Sequence, residues 1–413
     1  MKRYNKFLFT ILVLLSVLFF LIIFDQGRQE LLSNNKQSEI TTETTETNEK
    51  DPDENVTAIE DTVLEPSFPV SLQYEKYPIT YTYLLVNKEN VNIRSGPSYS
   101  EQIIRKAQRN EKLNYYETVL IDTGDASPIS WYHITWYEKD ELFFGFVESS
   151  IVTKRIFQFD KMEAAVLKTQ EYADRGKITY ISNYKNQKGY APLYHGLTQD
   201  AAGNSRSQSA PGYFSLSDKE KFIYISDGTL VRYLFSTGDY VKVEVIQTGE
   251  TYYVPSKYII TDKAVHNLKT IVVIDRKNQN EAVYEKINET WKLISYTLAT
   301  TGTTGEYAQP TPLGYYFAMG KRSQFLYYKD GTYIIQGYAP YSIRFAGGAY
   351  IHGVPVNFKY NSKGERITPS IQEYSQTIGT VPLSHKCVRN YTSHAQFLYD
   401  RYIQGEMVVV VIE

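Results

Sequence analysis

The sequence has almost no cysteine: its 413 residues contain one, Cys387. A lone cysteine cannot form a disulfide within the chain, so a disulfide framework is excluded. An excess of positive charge is also missing, because 44 Lys and Arg stand against 46 Asp and Glu, and the formal net charge is −2. Nucleic-acid-binding domains are basic, so nucleic acid is not expected as a partner. The sequence shows no cluster with metal-ligand spacing, and no metal or cofactor is expected.

Charge is absent from one stretch near the N-terminus, residues 7–24, which follows Lys2, Arg3 and Lys6. Its length is about the shortest that crosses a hydrocarbon core as a helix, and a basic flank stays in the cytoplasm. A cleavable signal peptide would end in small residues, whereas this run ends in large ones. We therefore expect residues 1–25 to form a cytoplasmic tip and an uncleaved single-pass membrane anchor, with the remainder extracytoplasmic. A removed signal peptide is the alternative.

Residues 26–75 are rich in Thr, Glu, Asn and Asp. Such a segment buries too little apolar surface to offset its ordering entropy, and we predict a disordered acidic linker. Roughly 340 residues follow, enough for two or three domains. The high content of tyrosine and other aromatic residues favours a mostly β protein, because these residues are common in strands.

Residues 76–155 alternate in short strands separated by turn residues, which favours a small barrel. Two motifs resemble the bacterial SH3 family, whose members often bind cell-wall peptide or glycan. They are Val91-Asn92-Ile93-Arg94-Ser95-Gly96-Pro97 and Gly145-Phe146-Val147. Residues 156–265 contain a degenerate repeat of this pattern and a predicted helix from Asp160 to Asp174. One or two SH3-like barrels are therefore expected.

Residues 266–413 read as a β-rich domain with a short helix after Cys387. Ser393 is a candidate N-cap of that helix, Leu398 and Tyr402 share one face, and Gly405 is a candidate stop. We expect this domain to act on small substrates without the preceding units.

A thiol near its ordinary pKa is mostly protonated at neutral pH, so a catalytic cysteine needs a base. His352 and His385 are the available bases. His385 lies two residues before Cys387, and in an extended segment the two side chains share a face. Backbone N–H groups around Lys386 and Cys387 are candidates to bind an oxyanion.

Two motifs carry a family resemblance. Ile351-His352-Gly353, followed by Ser384-His385-Lys386-Cys387-Val388-Arg389-Asn390, resembles the L,D-transpeptidase (YkuD-like) signature, H-G and then S-H-G-C-[IV]-R. Thr311-Pro312-Leu313-Gly314 resembles the T-P-x-G strand of that family. The likeness covers residues 266–413.

The resemblance implies a peptidoglycan L,D-transpeptidase that forms 3→3 cross-links through a cysteine thioester and releases terminal D-alanine. Its partners would be stem peptides and glycan, and its role cell-wall organisation and cell shape. By this likeness Cys387 is the nucleophile and His352 the base. The remaining implied site residues are Ser384, His385, Lys386 and Gly353, which orient the site and its oxyanion hole, and Arg389, Asn390, Tyr350 and Tyr338, which shape the substrate pocket.

Two features depart from the family pattern. Lys386 stands where the family has glycine; we expect it to adopt an ordinary φ and to direct its side chain away from the thiol. Residues 357–379 lengthen the interval between His352 and Cys387, as a lid or as a solvated loop. Two other functions stay open: a cysteine-type cell-wall endopeptidase or carboxypeptidase, and a catalytically impaired wall-binding protein. The endopeptidases place Cys before His in the chain, the reverse of the order here.

Overall fold

The computed structural model describes residues 56–59, 65–122, 127–138, 141–260 and 265–413. The predicted membrane anchor at residues 7–24 and most of the predicted linker lie outside these ranges. Across the described ranges, no helix is both long and apolar enough to cross a membrane. They contain two α-helices, α1 (Phe159–Arg175) and α2 (Thr392–Arg401), among many strands. The prediction of a mostly β protein is confirmed.

The first sheet has eight strands, which pair in the order β4-β3-β7-β6-β5-β2-β8 with β1 added to β5. Their bounds are β1 (Val56–Ile59), β2 (Thr82–Val86), β3 (Val91–Arg94), β4 (Ile103–Ala107), β5 (Lys112–Ile121), β6 (Ile129–Glu138), β7 (Glu141–Glu148) and β8 (Val152–Ile156). A 3₁₀ turn, Ser149–Ile151, joins the last two strands.

The second sheet has seven strands in the order β11-β10-β14-β13-β12-β9-β15 and follows α1. Their bounds are β9 (Ile178–Ile181), β10 (Ser209–Tyr213), β11 (Phe222–Ser226), β12 (Leu230–Thr237), β13 (Tyr240–Val245), β14 (Thr251–Pro255) and β15 (Ile259–Ile260). Two 3₁₀ turns accompany them, Tyr184–Asn186 and Ser256–Tyr258. The predicted helix of this region is confirmed by α1, while SH3-like barrels in either sheet stay a prediction.

The last part of the chain forms two five-stranded sheets and a small hairpin. The sheet orders are β18-β17-β16-β27-β19 and β20-β21-β22-β26 with β23 added to β21, and β24 pairs with β25. The bounds are β16 (Thr270–Asp275), β17 (Asn280–Ile287), β18 (Thr290–Leu298), β19 (Gly314–Phe317), β20 (Gly320–Tyr328), β21 (Ile335–Ala346), β22 (Ala349–His352), β23 (Val356–Asn357), β24 (Lys359–Tyr360), β25 (Arg366–Ile367), β26 (Val388–Arg389) and β27 (Met407–Ile412).

The central strands β16 and β27 run parallel and are covered on both faces. Side chains that alternate along them enter two different cores. Ile271 and Val408 pack with Met162 and Val166 of α1, whereas the neighbouring positions pack against the second five-stranded sheet. The boundary predicted at residue 265 therefore separates α1 from the sheet whose core it completes.

The end of the predicted linker is hydrogen-bonded to β18. The N–H of Ser71 donates to the carbonyl of Leu293 at 2.9 Å, and the N–H of Gln73 donates to the carbonyl of Ile294 at 2.8 Å. Phe68 and Leu72 pack against the hydrophobic core. The prediction of disorder up to residue 75 is wrong for this portion, because its backbone is hydrogen-bonded to β18 and Phe68 and Leu72 are partly buried.

The predicted helix after Cys387 is present as α2, with different ends. Tyr391 occupies the N-cap position without a side-chain hydrogen bond, and the helix ends at Arg401. Ser393 lies inside the first turn, where its hydroxyl contacts Glu373 and lies 2.8 Å from the hydroxyl of Tyr74. The prediction of Ser393 as N-cap is therefore wrong.

Candidate active site

The pairing of β22 with β26 places the two motif segments side by side. These short strands are parallel, with Ile351 opposite Val388 and His352 opposite Arg389. Ile351 and Val388 point into the core. Because side chains alternate between faces, the residues on either side of them share the opposite face. That face carries Tyr350, His352, Cys387 and Arg389, which line a cavity of about 1230 Å³.

His352 has one ring nitrogen committed and one free for chemistry. Its Nδ1–H donates to the carbonyl of Gly353 at 2.7 Å, and because a carbonyl only accepts, the proton of the neutral ring lies on Nδ1. Nε2 is then an acceptor. Burial, with a smaller effect from the Arg389 charge, lowers the pKa of His352 to about 4. The ring is therefore neutral at neutral pH and able to take up a proton.

Cys387 is 8% exposed, and burial raises the pKa of its thiol. A hydrogen bond from the backbone N–H of Tyr350 and the charges of Arg389 and Lys386 act in the opposite direction. In the thiol form Sγ faces the carbonyl of Gly348 at 3.9 Å. The resting cysteine is a thiol, so a base must remove its proton when it attacks.

Thr311, from the T-P-x-G motif, holds the loop that carries Cys387. Its hydroxyl donates to the carbonyl of Lys386 at 2.9 Å and accepts from the N–H of Gly302 at 2.7 Å. The hydroxyl of Ser384 donates to the carbonyl of Cys387. The N–H of Cys387 makes no hydrogen bond to any group within the described ranges, which leaves it available to a ligand.

Lys386 differs from its prediction in two respects. Its φ is 147°, in the positive range that favours glycine, so the expectation of an ordinary φ is wrong. The side chain does not point away from the site but lies at the cavity, where burial lowers the pKa of its ammonium and the nearby charges of Cys387 and Asp227 oppose that shift. The Lys386 backbone packs against Gly302, where a Cβ would lie 2.7 Å from the Cα of Lys386.

His385 also departs from expectation. The segment before Cys387 is bent rather than extended, so the argument that the two side chains share a face does not apply. The Nε2 of His385 pairs with the carboxylate of Asp330 at 3.0 Å, and both side chains are 53% exposed. His385 thus lies at the rim of the cavity, bound to the loop between β20 and β21.

Three predicted site residues do not line the cavity. The N–H of Gly353 donates to the carbonyl of Pro340 at 2.9 Å and is unavailable to an oxyanion. Asn390 is fully buried and donates to the carboxylate of Glu281 at 2.6 Å. Tyr338 is buried, and its hydroxyl donates to the carbonyl of Pro369 at 2.8 Å. The side chains of Asn390 and Tyr338 face the interior because their partners are internal, so the pocket roles predicted for them are wrong. The oxyanion role predicted for Gly353 is also wrong, whereas its carbonyl does orient the ring of His352.

The insertion at residues 357–379 forms the exposed hairpin β24–β25 and a return segment. Residues 369–372 and Lys359 line one side of the cavity. Most of the hairpin is solvated.

Sequence reasoning missed two groups of lining residues. The first group, Arg322, Gln324 and Phe325, lies on β20, where a strand pattern was a detectable signal. The second group is Tyr184, Lys185 and Gln208, which come from the unit before residue 265. No local pattern marks the second group, since only the tertiary structure brings it to the cavity. In the described residues, no three His, Cys, Asp or Glu side chains gather in a way that could hold a metal ion.

Residues 269–411 match the family model of the L,D-transpeptidase catalytic domain, YkuD. The match spans β16 to β27 almost completely and includes His352 and Cys387. It confirms the prediction that this part of the chain is an L,D-transpeptidase catalytic domain. No curated protein matches the chain.

Solved structures resemble the chain weakly. A fused Zn-dependent amidase/peptidase/peptidoglycan-binding domain-containing protein from Clostridium acetobutylicum is 20% identical, with a TM-score of 0.25 over 37% of this chain and 54% of that chain. An L,D-transpeptidase from Stackebrandtia nassauensis is 22% identical, with a TM-score of 0.24 over 35% and 56%. One from Mycobacterium smegmatis is 11% identical, with a TM-score of 0.27 over 69% and 92%. The chain thus spans about half the length of the first two, and TM-scores this low do not establish a shared overall fold.

Proposed function

We propose that this protein is a membrane-anchored peptidoglycan L,D-transpeptidase that forms 3→3 cross-links between stem peptides. One observation carries the proposal: the parallel pairing of β22 with β26 puts Cys387 and His352 on one face of the cavity, and the Nε2 of His352 is free to accept a proton. Cys387 is the nucleophile and His352 the general base.

In the first half-reaction, His352 Nε2 takes the thiol proton as Sγ attacks the carbonyl carbon of the third stem residue. The oxyanion of the tetrahedral intermediate is bound by the free N–H of Cys387. Collapse of the intermediate breaks the peptide bond, and the imidazolium gives its proton to the departing amine of D-alanine. A thioester between Cys387 and the donor stem remains.

In the second half-reaction, the side-chain amine of the third residue of another stem attacks the thioester carbonyl. His352 accepts a proton from that amine, the intermediate collapses, and the thiolate leaves. The product is an amide bond between two third residues. Arg389 and Lys386 favour the thiolate in both steps, because their positive charges lie close to Sγ.

The predicted anchor at residues 7–24 would hold this chemistry on the extracytoplasmic side of the membrane, within reach of the wall. The two sheets before the catalytic domain, predicted as SH3-like barrels, would bind wall peptide or glycan. Tethering raises the local concentration of an enzyme at its polymer, and this arrangement suits a cross-linking enzyme.

Analysis of reaction products tests the proposal. The purified chain is incubated with disaccharide-tetrapeptide, and the products are separated and sequenced by tandem mass spectrometry. We expect a 3→3 linked dimer and free D-alanine, both absent with Cys387→Ser. Tetrapeptide cleaved between its second and third residues would contradict the transpeptidase and favour the endopeptidase. Release of D-alanine without a dimer would favour the carboxypeptidase.

A further inference from the structure

The cavity around Cys387 receives one wall from outside the domain that the family model matches. Tyr184 and Lys185 lie in the 3₁₀ turn after β9, and Gln208 lies just before β10. All three line the same cavity as Cys387 and His352. We call these three residues the outer wall.

The outer wall is fixed to the catalytic domain. The hydroxyl of Tyr184 lies 3.2 Å from the hydroxyl of Tyr350, and the guanidinium of Arg344 stacks 4.1 Å from the centre of the Tyr184 ring. Nearby, the carbonyl of Gly228 accepts from the N–H of Phe317 at 2.9 Å. A Cβ on Gly228 would lie only 2.0 Å from the carbonyl oxygen of Phe345. Contact this close leaves little room for the outer wall to move relative to the nucleophile.

The backbone of the outer wall adopts an uncommon conformation. Lys185 has φ 52°, Asn186 has φ 55° and Gln208 has φ 56°, all in the left-handed region. Their hydrogen bonds hold it: the N–H of Lys185 donates to Oε1 of Gln208 at 3.0 Å, and the N–H of Gln208 donates to Oδ1 of Asn186 at 2.8 Å. Non-glycine residues in this region cluster at functional sites. The conformation leaves the side chain of Lys185 exposed at the cavity.

The charge of the cavity indicates what it binds. Its described lining contains five cations, namely Lys185, Arg322, Lys359, Lys386 and Arg389, and one carboxylate, that of Asp330. Asp330 is already paired with His385. The whole chain has a formal net charge of −2, so positive charge is concentrated at this cavity. Such a surface attracts carboxylates and binds them by charge-assisted hydrogen bonds.

We propose that the outer wall is a substrate-binding site in which Lys185 binds a carboxylate of the peptide substrate. This inference rests on the proposed function, since stem peptides carry free carboxylates. The preceding unit then determines substrate affinity as well as position. The carboxylate that Lys185 binds belongs either to the acyl donor or to the acyl acceptor, and the experiment separates these two peptides.

The test measures steady-state kinetics of the full chain in detergent, with donor and acceptor tetrapeptides varied separately. Lys185→Gln is expected to raise KM for one of the two peptides about fivefold, the range of an exposed ion pair, and to change kcat by less than twofold. Lys185→Arg should restore the KM. Lys188→Gln, a change at an exposed lysine three residues away that does not line the cavity, is the matched control.

Carboxamide versions of the same peptides complete the design. On them, wild type and Lys185→Gln should give equal KM values, because the partner of the lysine is missing. An effect on the donor or on the acceptor supports the inference and identifies the peptide bound. Equal KM values for Lys185→Gln and Lys188→Gln on the free acids would overturn it. Absence of any product with wild type would instead refute the proposed function.

Discussion

The guanidinium of Arg344 donates to the carboxylate of Asp227 at 2.5 Å, across the boundary between the catalytic domain and the unit before it. The side chain of Asp227 is 1% exposed. Its backbone carbonyl also accepts from the N–H of Gly347, next to the residue whose carbonyl faces the thiol. The preceding unit is therefore joined to the catalytic domain by an ion pair and a hydrogen bond beside the active site.

Removal of this ion pair should destabilise the protein. Asp227→Ala leaves Arg344 without its carboxylate, and breaking a buried pair on one side costs about 3 kcal/mol. Urea unfolding followed by intrinsic fluorescence measures the change. Asp218→Ala, which removes an exposed pair with Lys221, is the control and should cost less than about 1 kcal/mol. Equal losses of unfolding free energy in the two variants would show that the buried pair stabilises the protein no more than an exposed pair does.

The catalytic domain should not function alone. A fragment of residues 266–413 lacks α1, and the apolar face of β16 and β27 that packs against Met162 and Val166 becomes exposed. We expect this fragment to aggregate or to lose its near-ultraviolet circular dichroism, whereas residues 65–413 should fold and turn over free muropeptides. A soluble, fully active fragment would support independent domains, as expected from sequence, and would contradict the shared core.

Lys386→Gly separates backbone strain from charge. A non-glycine residue at positive φ costs roughly 1–2 kcal/mol, and glycine loses about 0.5–1 kcal/mol of that gain through chain entropy. We expect the variant to be slightly more stable, with its thiol pKa higher because the ammonium is gone. Lys386→Ala, which keeps the strain and removes the charge, should show the same pKa without the gain in stability. Thiol titration with iodoacetamide and urea unfolding measure both. Inactivity of folded Lys386→Gly would assign the lysine an essential role in the chemistry.

The pH profile should report His352. Its pKa of about 4 means that the ring stays neutral down to that pH, so kcat/KM should fall only as pH drops through about 4. An ordinary histidine would give an acid limb near 6.5. The measurement is kcat/KM from pH 3.5 to 8 in buffers of constant ionic strength. An acid limb near 6.5 would show that His352 is more solvated than its position in β22 implies.

The same shift affects stability. Because the pKa of His352 is lower in the folded state than in the unfolded state, the unfolded chain binds a proton first as pH falls from 6.5 to 4. The free energy of unfolding therefore falls by about 3 kcal/mol as the pH falls from 6.5 to 4. His352→Gln removes this contribution, so its stability should fall less between pH 7 and pH 4.5 than that of wild type.

The catalytic domain is recognisable from the sequence because its reactive residues lie in short motifs. The motifs that contain His352 and Cys387 were sufficient to identify the L,D-transpeptidase catalytic domain. The outer wall was not predictable, since Tyr184 meets Tyr350 through a contact between residues 166 positions apart. Lys386 shows a different limit. Its place in the motif, where the family has glycine, indicates a positive φ, whereas the cost of a positive φ to a non-glycine residue favours an ordinary one. The structure has the positive φ, with the Lys386 backbone packed against Gly302.

The most direct test of the account is the mass of the enzyme during acylation. Wild type is treated with a carbapenem, quenched, and measured intact and after digestion. We predict a single adduct of the carbapenem mass on the peptide that carries Cys387, much slower to form in His352→Ala and absent in Cys387→Ser. An adduct on another residue, or an undiminished adduct in Cys387→Ser, would contradict the central claim that Cys387 is the nucleophile.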